Sequence, residues 1–230
     1  MNKKWILFYC LFHLVLISCE ETEVENDIRV LVTGNITDQN TMPISNAHIE
    51  VYIDTNSSLT ERILVGKGFS NNTGNFIITS LFGPNELFYV EISAGDQYAT
   101  YRYQTNTQEF TPSDLRFDLE TVQLARLATF NYDIIKTSTG NNTLAYSFRF
   151  IRPQCSQVFD EGELNETASQ CYGTGQTSGQ LSAISPNVED REIKVPLGSQ
   201  IEFIHRINEE ESISEIIDVN TIDYAFQFNY

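Results

Sequence analysis

Apolar and polar residues alternate with a period of two along most of this chain, and no stretch sustains the 3.6-residue period of an amphipathic helix. Val30, Val32, Gly34 and Ile36 alternate with Leu31, Thr33 and Asn35, which predicts a strand with one buried face. Asp38-Gln39-Asn40 supplies the turn after it, because Asp and Asn side chains bond their own backbone and tolerate left-handed geometry. Ile49, Val51 and Ile53 then share one face of a second strand while His48, Glu50 and Tyr52 point the other way. Beyond Gly66 to Phe69, the run Ser70-Asn71-Asn72-Thr73-Gly74 predicts a hairpin turn with Gly74 at positive φ, and Phe76, Ile77 and Ile78 resume the sheet. A turn of that kind should reject Val at position 74 and tolerate Asn.

Further strands are predicted over 87–92 and 98–103, joined by a turn at Gly95-Asp96, and over 115–119, which ends a first module near residue 123. In the second half, Phe130, Tyr132 and Ile134 are expected to pair as a hairpin with Leu144, Tyr146, Phe148 and Phe150 across Asn141-Asn142. The segment 153–186, rich in Ser, Thr, Gly and Gln, lacks sustained alternation and predicts a long loop. Ile193 and Val195, then Ile201, Phe203 and Ile207, then Ile222, Tyr224, Phe226, Phe228 and Tyr230 rebuild a sheet. The expected fold is all-β, with two β-sandwich modules of immunoglobulin or transthyretin type at 28–123 and 124–230.

The order Val32-x-Gly34-x-Ile36-x-Asp38, Pro43-Ile44-x-Asn46-Ala47-x-Ile49-x-Val51 and Ser70-Asn71-x-x-Gly74-x-Phe76-x-Ile78-x-x-Leu81 resembles the carboxypeptidase regulatory-like domain, a transthyretin-like β-sandwich of secreted bacterial proteins. The resemblance covers less than half the chain. Thr41 and Asn46 stand where that family usually has Gly, and Ser70-Asn71 stands where it has Thr-Asp. The motif is structural, so the resemblance implies a fold and carries no catalytic residue.

The amino terminus reads as an address. Lys3 and Lys4 precede an apolar run from Trp5 to Ile17, about thirteen residues and too short to span a bilayer, which predicts a signal peptide over 1–18. Leu16-Ile17-Ser18-Cys19 resembles a bacterial lipobox, with Cys19 as the thiol that receives lipid. Several acyl chains, each buried CH₂ contributing about 0.8 kcal/mol, would hold the protein on a membrane. Residues 20–27 are mostly acidic and predict a solvated tether. Acidic residues directly after the lipidated cysteine also resemble the surface-export signal of Bacteroidetes-type lipoproteins, so an outer-membrane anchor facing either the periplasm or the cell surface is expected.

Charge narrows the partners. The formal charge of −17 becomes −19 once residues 1–18, with two lysines and no acids, are removed, and a field of that sign repels nucleic acid. With Cys10 in the signal and Cys19 lipidated, Cys155 and Cys171 remain, and an extracytoplasmic pair is most simply a disulfide. Closing a loop of about seventeen residues contributes roughly 3 kcal/mol in the chain-entropy description.

Chemistry is sparse in this sequence. His48 and His205 sit in separate predicted strands, in neither HExxH nor HxxE spacing, and His205 reads as a packed or rim residue. There is no GxSxG elbow and no phosphate-binding GxxxxGK. Glu209-Glu210-Glu211 with Glu215 and Asp218 is the densest acidic group, and it lacks EF-hand spacing. No catalytic residue, metal site or cofactor is therefore assigned. Tyr98, Tyr101 and Tyr103 form either a sugar-stacking platform or a set of half-buried strand residues. The sequence thus points to a non-enzymatic outer-membrane or surface lipoprotein with a binding or assembly role towards a protein or glycan partner. The alternative is a carbohydrate-binding accessory of a polysaccharide-uptake system.

Overall fold

The computed structural model describes residues 28–54 and 62–230. The signal segment, Cys19 and the acidic tether lie outside the described residues. Every regular element among the described residues is a strand. No helix there is long and apolar enough to cross a membrane.

Seven strands arise in the first half: β1 (Ile28–Asp38), β2 (His48–Asp54), β3 (Ile63–Phe69), β4 (Asn75–Phe82), β5 (Leu87–Ser93), β6 (Thr100–Asn106) and β7 (Arg116–Leu124). They form two layers. One is a three-stranded sheet ordered β4-β1-β7, and the other carries β6-β5-β2-β3. Val30, Val32 and Ile36 of β1 pack against Ile49, Val51, Phe88, Val90 and Tyr103 of the facing sheet in one continuous core. This is the period-2 alternation acting as expected: the alternating apolar set faces inward and fixes the register.

The predicted turn at Ser70 to Gly74 exists, but it does different work. Strand β3 pairs with β2, whereas β4 pairs with β1, so the turn carries the chain from one sheet to the other and does not join hydrogen-bonded neighbours. Gly74 has φ +79°, and the loop is held by Asn71, whose side-chain oxygen accepts the Thr73 and Asn75 amides at 2.9 and 3.0 Å. Thr41 and Asn46, the two positions where the regulatory-like pattern carries glycine, lie at φ 63° and 57°, the backbone region that glycine enters without cost.

Nine strands follow: β8 (Leu127–Ile135), β9 (Leu144–Ile151), β10 (Gln154–Asp160), β11 (Glu163–Cys171), β12 (Thr174–Leu181), β13 (Val188–Pro196), β14 (Gln200–Ile207), β15 (Ile213–Asp218) and β16 (Asp223–Asn229). A four-stranded sheet β12-β9-β14-β15 and a three-stranded sheet β13-β8-β16 enclose a second core built on Phe130, Ile134, Phe148, Ile201 and Phe203. The expected β8–β9 hairpin does not form, since the two strands belong to opposite layers.

The larger departure concerns 153–186. Instead of a loop it holds three strands, and two of them leave the second module altogether. Strand β10 pairs in parallel with β6, Cys155 opposite Tyr101 and Gln157 opposite Tyr103, and β11 folds back antiparallel on β10. The first module's larger sheet therefore becomes six-stranded, β11-β10-β6-β5-β2-β3, with two strands drawn from beyond residue 123. Strand β12 was hidden by its glycines. Gly175 and Gly179 stand opposite Phe150 and Tyr146, and a Cβ at either glycine would meet a carbon of the facing ring at 2.7 Å. The rings of β9 cover the glycines, so the apolar half of the alternation sits on the partner strand.

At Gly74 an added Cβ would collide with the carbonyl oxygen of Ile36. That carbonyl accepts the Ile44 amide while the Ile36 amide donates to Gly74 O, so the backbone there has no slack. Asn at 74 therefore does not escape, contrary to the expectation from turn geometry alone. Gly74→Ala and Gly74→Asn should both lose stability, on the order of 1–3 kcal/mol by chemical denaturation. An unchanged midpoint for Gly74→Asn would contradict this close approach.

Candidate functional site

Six strands face three in the first module, and the mismatch leaves space. Beyond β7, where a fourth strand of the smaller sheet would lie, the inner face of β10 and β11 is open. A cleft of about 670 Å³ occupies that position.

Its floor is built by alternation. Tyr101 and Tyr103 of β6 point inward with Cys155, Gln157 and Phe159 of β10 beside them in register. Its wall is β7, whose Phe117, Leu119 and Val122 face the floor. The Tyr103 ring stacks on Phe159 at 4.6 Å between centroids, and Phe117 lies at 6.3 Å from both Tyr103 and Phe110. The Tyr101 hydroxyl donates to the Gln157 side-chain oxygen at 2.7 Å, and Thr105 Oγ1 donates to the Phe159 carbonyl at 2.9 Å. Burial pushes the Tyr103 hydroxyl up to about 12 and raises Tyr101 as well, so both rings stay neutral and act as apolar surface with a hydrogen-bonding tip.

Two posts close the cleft lengthwise. At one end the Phe110 ring covers Gly162 in the β10–β11 turn, leaving no room for a Cβ there. At the other the Tyr172 hydroxyl accepts the Ala125 amide at 3.3 Å. The Cys155–Cys171 disulfide ties β10 to β11 beside this second post. The predicted cysteine pair thus meets Tyr101 and Tyr103 in one place, although they lie far apart in the sequence.

Of the two readings of Tyr101 and Tyr103, this setting matches the packed strand residues and not the platform. Tyr101 and Tyr103 are 7% and 6% exposed and belong to the core. Strand β10 lies alongside β6, and β7 lies over it, so no flat ring face is offered to solvent for a sugar to stack on. Tyr98 precedes β6, is half-buried and bridges to Arg126, apart from the other two. The sequence signal that would have exposed this was the alternation Cys155, Gln157, Phe159, too weakly apolar to be recognised as a strand.

The remaining candidates are dispersed. His205 is buried between Phe203 and Phe228, with ring centroids at 5.0 and 4.4 Å, and desolvation holds it below the usual histidine value. His48 sits 3.9 Å from Glu50 and packs on Phe69. Glu209, Glu210 and Glu211 occupy the β14–β15 turn while Glu215 and Asp218 lie along β15. Among the described residues no three His, Cys, Asp or Glu side chains converge as a metal site.

Neither a protein-family model nor a curated protein sequence matches the chain. Among solved structures, it is similar to the Bacillus anthracis TIE protein at 12% identity and TM-score 0.33, covering 88% of this chain and 34% of that one. The shaft pilin spaA of Lactobacillus rhamnosus GG is similar at 5% identity and TM-score 0.34, over 88% of this chain and 98% of the pilin. The tip fimbrial protein Mfa3 of Porphyromonas gingivalis is similar at 10% identity and TM-score 0.31, over 83% and 82%. These neighbours are β-rich bacterial proteins, and at such scores the likeness carries no argument about function.

The disulfide holds a peripheral hairpin whose own strands bury little: β11 is exposed along most of its length. Replacing Cys155 and Cys171 together by Ala should therefore cost about 3 kcal/mol, with β10 and β11 becoming protease-sensitive before the rest of the protein. Unchanged stability and unchanged cleavage of the double variant would show that the bridge is dispensable to the cleft.

Proposed function

We propose that this chain is a lipid-anchored protein of the outer membrane, displayed at the cell surface, that acts by binding or assembly without catalysing a reaction. The observation that carries the reading is Leu16-Ile17-Ser18-Cys19 at the end of a short apolar run, followed at once by an acidic tether. An apolar run of that length does not span a bilayer, so retention falls to the acyl chains on Cys19. The two sandwiches supply rigid surfaces beyond the tether, and the first of them carries the cleft between β7 and β10.

The carbohydrate-binding alternative rested on Tyr98, Tyr101 and Tyr103 as an exposed platform. With Tyr101 and Tyr103 in the core, that alternative has lost the feature that favoured it.

Fractionation of cells expressing Cys19→Ala tests the anchor. The variant should leave the membrane fraction, while wild type stays with it and labels with a palmitate analogue. Membrane retention of the cleaved Cys19→Ala protein would overturn the reading.

A further inference from the structure

The open side of the cleft is a strand edge. Strand β7 hydrogen-bonds β1 alone among the described residues and stands last in its sheet. The ladder is parallel, Leu31 N donating to Leu115 O at 3.0 Å, so alternate residues of β7 turn their main-chain groups to β1 and the others turn them away. After the bulge between Asp118 and Thr121, the outward set is Arg116, Asp118, Thr121 and Gln123, all with exposed side chains. Two amides on this edge are already capped: Arg116 N donates to Asp114 Oδ1 at 3.2 Å and Glu120 N to Asp118 Oδ1 at 3.1 Å. The main-chain groups of Asp118, Thr121 and Gln123 remain directed at the open side, beside the cleft floor where Gln157 and Phe159 are half-buried.

A free edge over an unfilled apolar floor is the geometry of strand addition. Main-chain bonds would supply affinity, and pockets for every second side chain would supply selectivity. We propose that the cleft accepts a short extended segment of a partner protein as an added strand beside β7, with apolar residues facing the half-buried Gln157 and Phe159 and basic residues between them. The basic character follows from the rim. Asp118 and Glu120 line the β7 side, Asp160, Glu161 and Glu163 surround the β10–β11 turn, and Arg116 is the cation at the β7 start. The formal charge of −17 on the whole chain acts in the same sense, and it disfavours a second copy of this protein as the occupant. The posts at Phe110–Gly162 and Tyr172–Ala125 limit the segment to the nine-residue span of β7, and the bulge limits regular pairing to either half of it.

This deepens the binding role proposed above by naming the partner's chemistry. It rests on that reading for the existence of a partner, and its test does not involve the anchor. The test uses the full chain in detergent micelles and an acetylated, amidated peptide, Lys-Val-Lys-Phe-Lys-Val-Lys, read by calorimetry and by amide exchange. The peptide should bind and slow exchange at Asp118 and Thr121, and the acidic counterpart with Glu for Lys should not. Two further peptides are N-methylated at alternate residues, one in each phase. An added strand bonds through one edge only, so one phase should bind about tenfold more weakly and the other nearly as well as the parent. Gln157→Trp, which fills the floor, should weaken binding by a similar factor at unchanged far-ultraviolet dichroism. Asp118→Asn, on the exposed edge where it leaves the core untouched, should weaken it less. Absence of binding, equal binding of both N-methylated phases, or equal binding of the acidic peptide would each overturn the proposal. Equal retention in both phases would reveal simple attraction to an acidic surface.

Discussion

The parallel pairing of β10 with β6 is the contact on which the distinctive part of this structure depends. Without it the first module is a sandwich with β6 at the edge of its larger sheet and Tyr101 and Tyr103 uncovered on that side. With it, Cys155, Gln157 and Phe159 fall into register beside the tyrosines, the sheet extends past β7, and the cleft comes into being. A parallel pair requires a long connection, and here the connection passes through β7, β8 and β9 before the chain returns. The closure entropy of so long a loop grows only slowly with its length, so the cost is modest once the second core has formed. The disulfide then fixes β11, exposed along most of its length, to β10.

Each module has its own apolar cluster, one on Phe88, Phe117 and Val90, the other on Phe130, Phe148 and Phe203. Stacked and edge-on rings run through both, among them Phe88 on Phe117 at 4.5 Å and Phe148 on Phe203 at 4.7 Å. Polar groups inside are few and specific. Ser70 Oγ accepts the Ala47 amide and donates to the Ile44 carbonyl, which ties the sheet-to-sheet turn to the start of β2. Such bonds position the turn while the rings supply most of the stabilisation, since each buried ring removes a large apolar area from water.

The strands with strong apolar alternation were legible from the sequence: β1, β2, β5, β7, β14 and β16 all lie where Val, Ile, Leu, Phe and Tyr recur at every second position. Positive φ at Gly74 was legible as well. What the alternation cannot convey is pairing: it predicts hairpins for the β3–β4 and β8–β9 connections, although each crosses between layers. The strands β10, β11 and β12 escaped because their inward positions hold Cys, Gln, Ser and Gly, with the covering rings on neighbouring strands. The same gap hid the site: with the strand beside them unrecognised, the tyrosines of β6 read either as a platform or as half-buried strand residues.

Hydrogen exchange at β10 tests this architecture most directly. If β10 is an interior strand of a six-stranded sheet, its inward-paired amides should exchange as slowly as those of β5 and β6, since opening them requires the module to open. The result expected is protection across Cys155 to Phe159 comparable to that of Val90 and Tyr103. Exchange there at the rate of an unstructured loop, with β5 and β6 still protected, would contradict the account and remove the cleft with it.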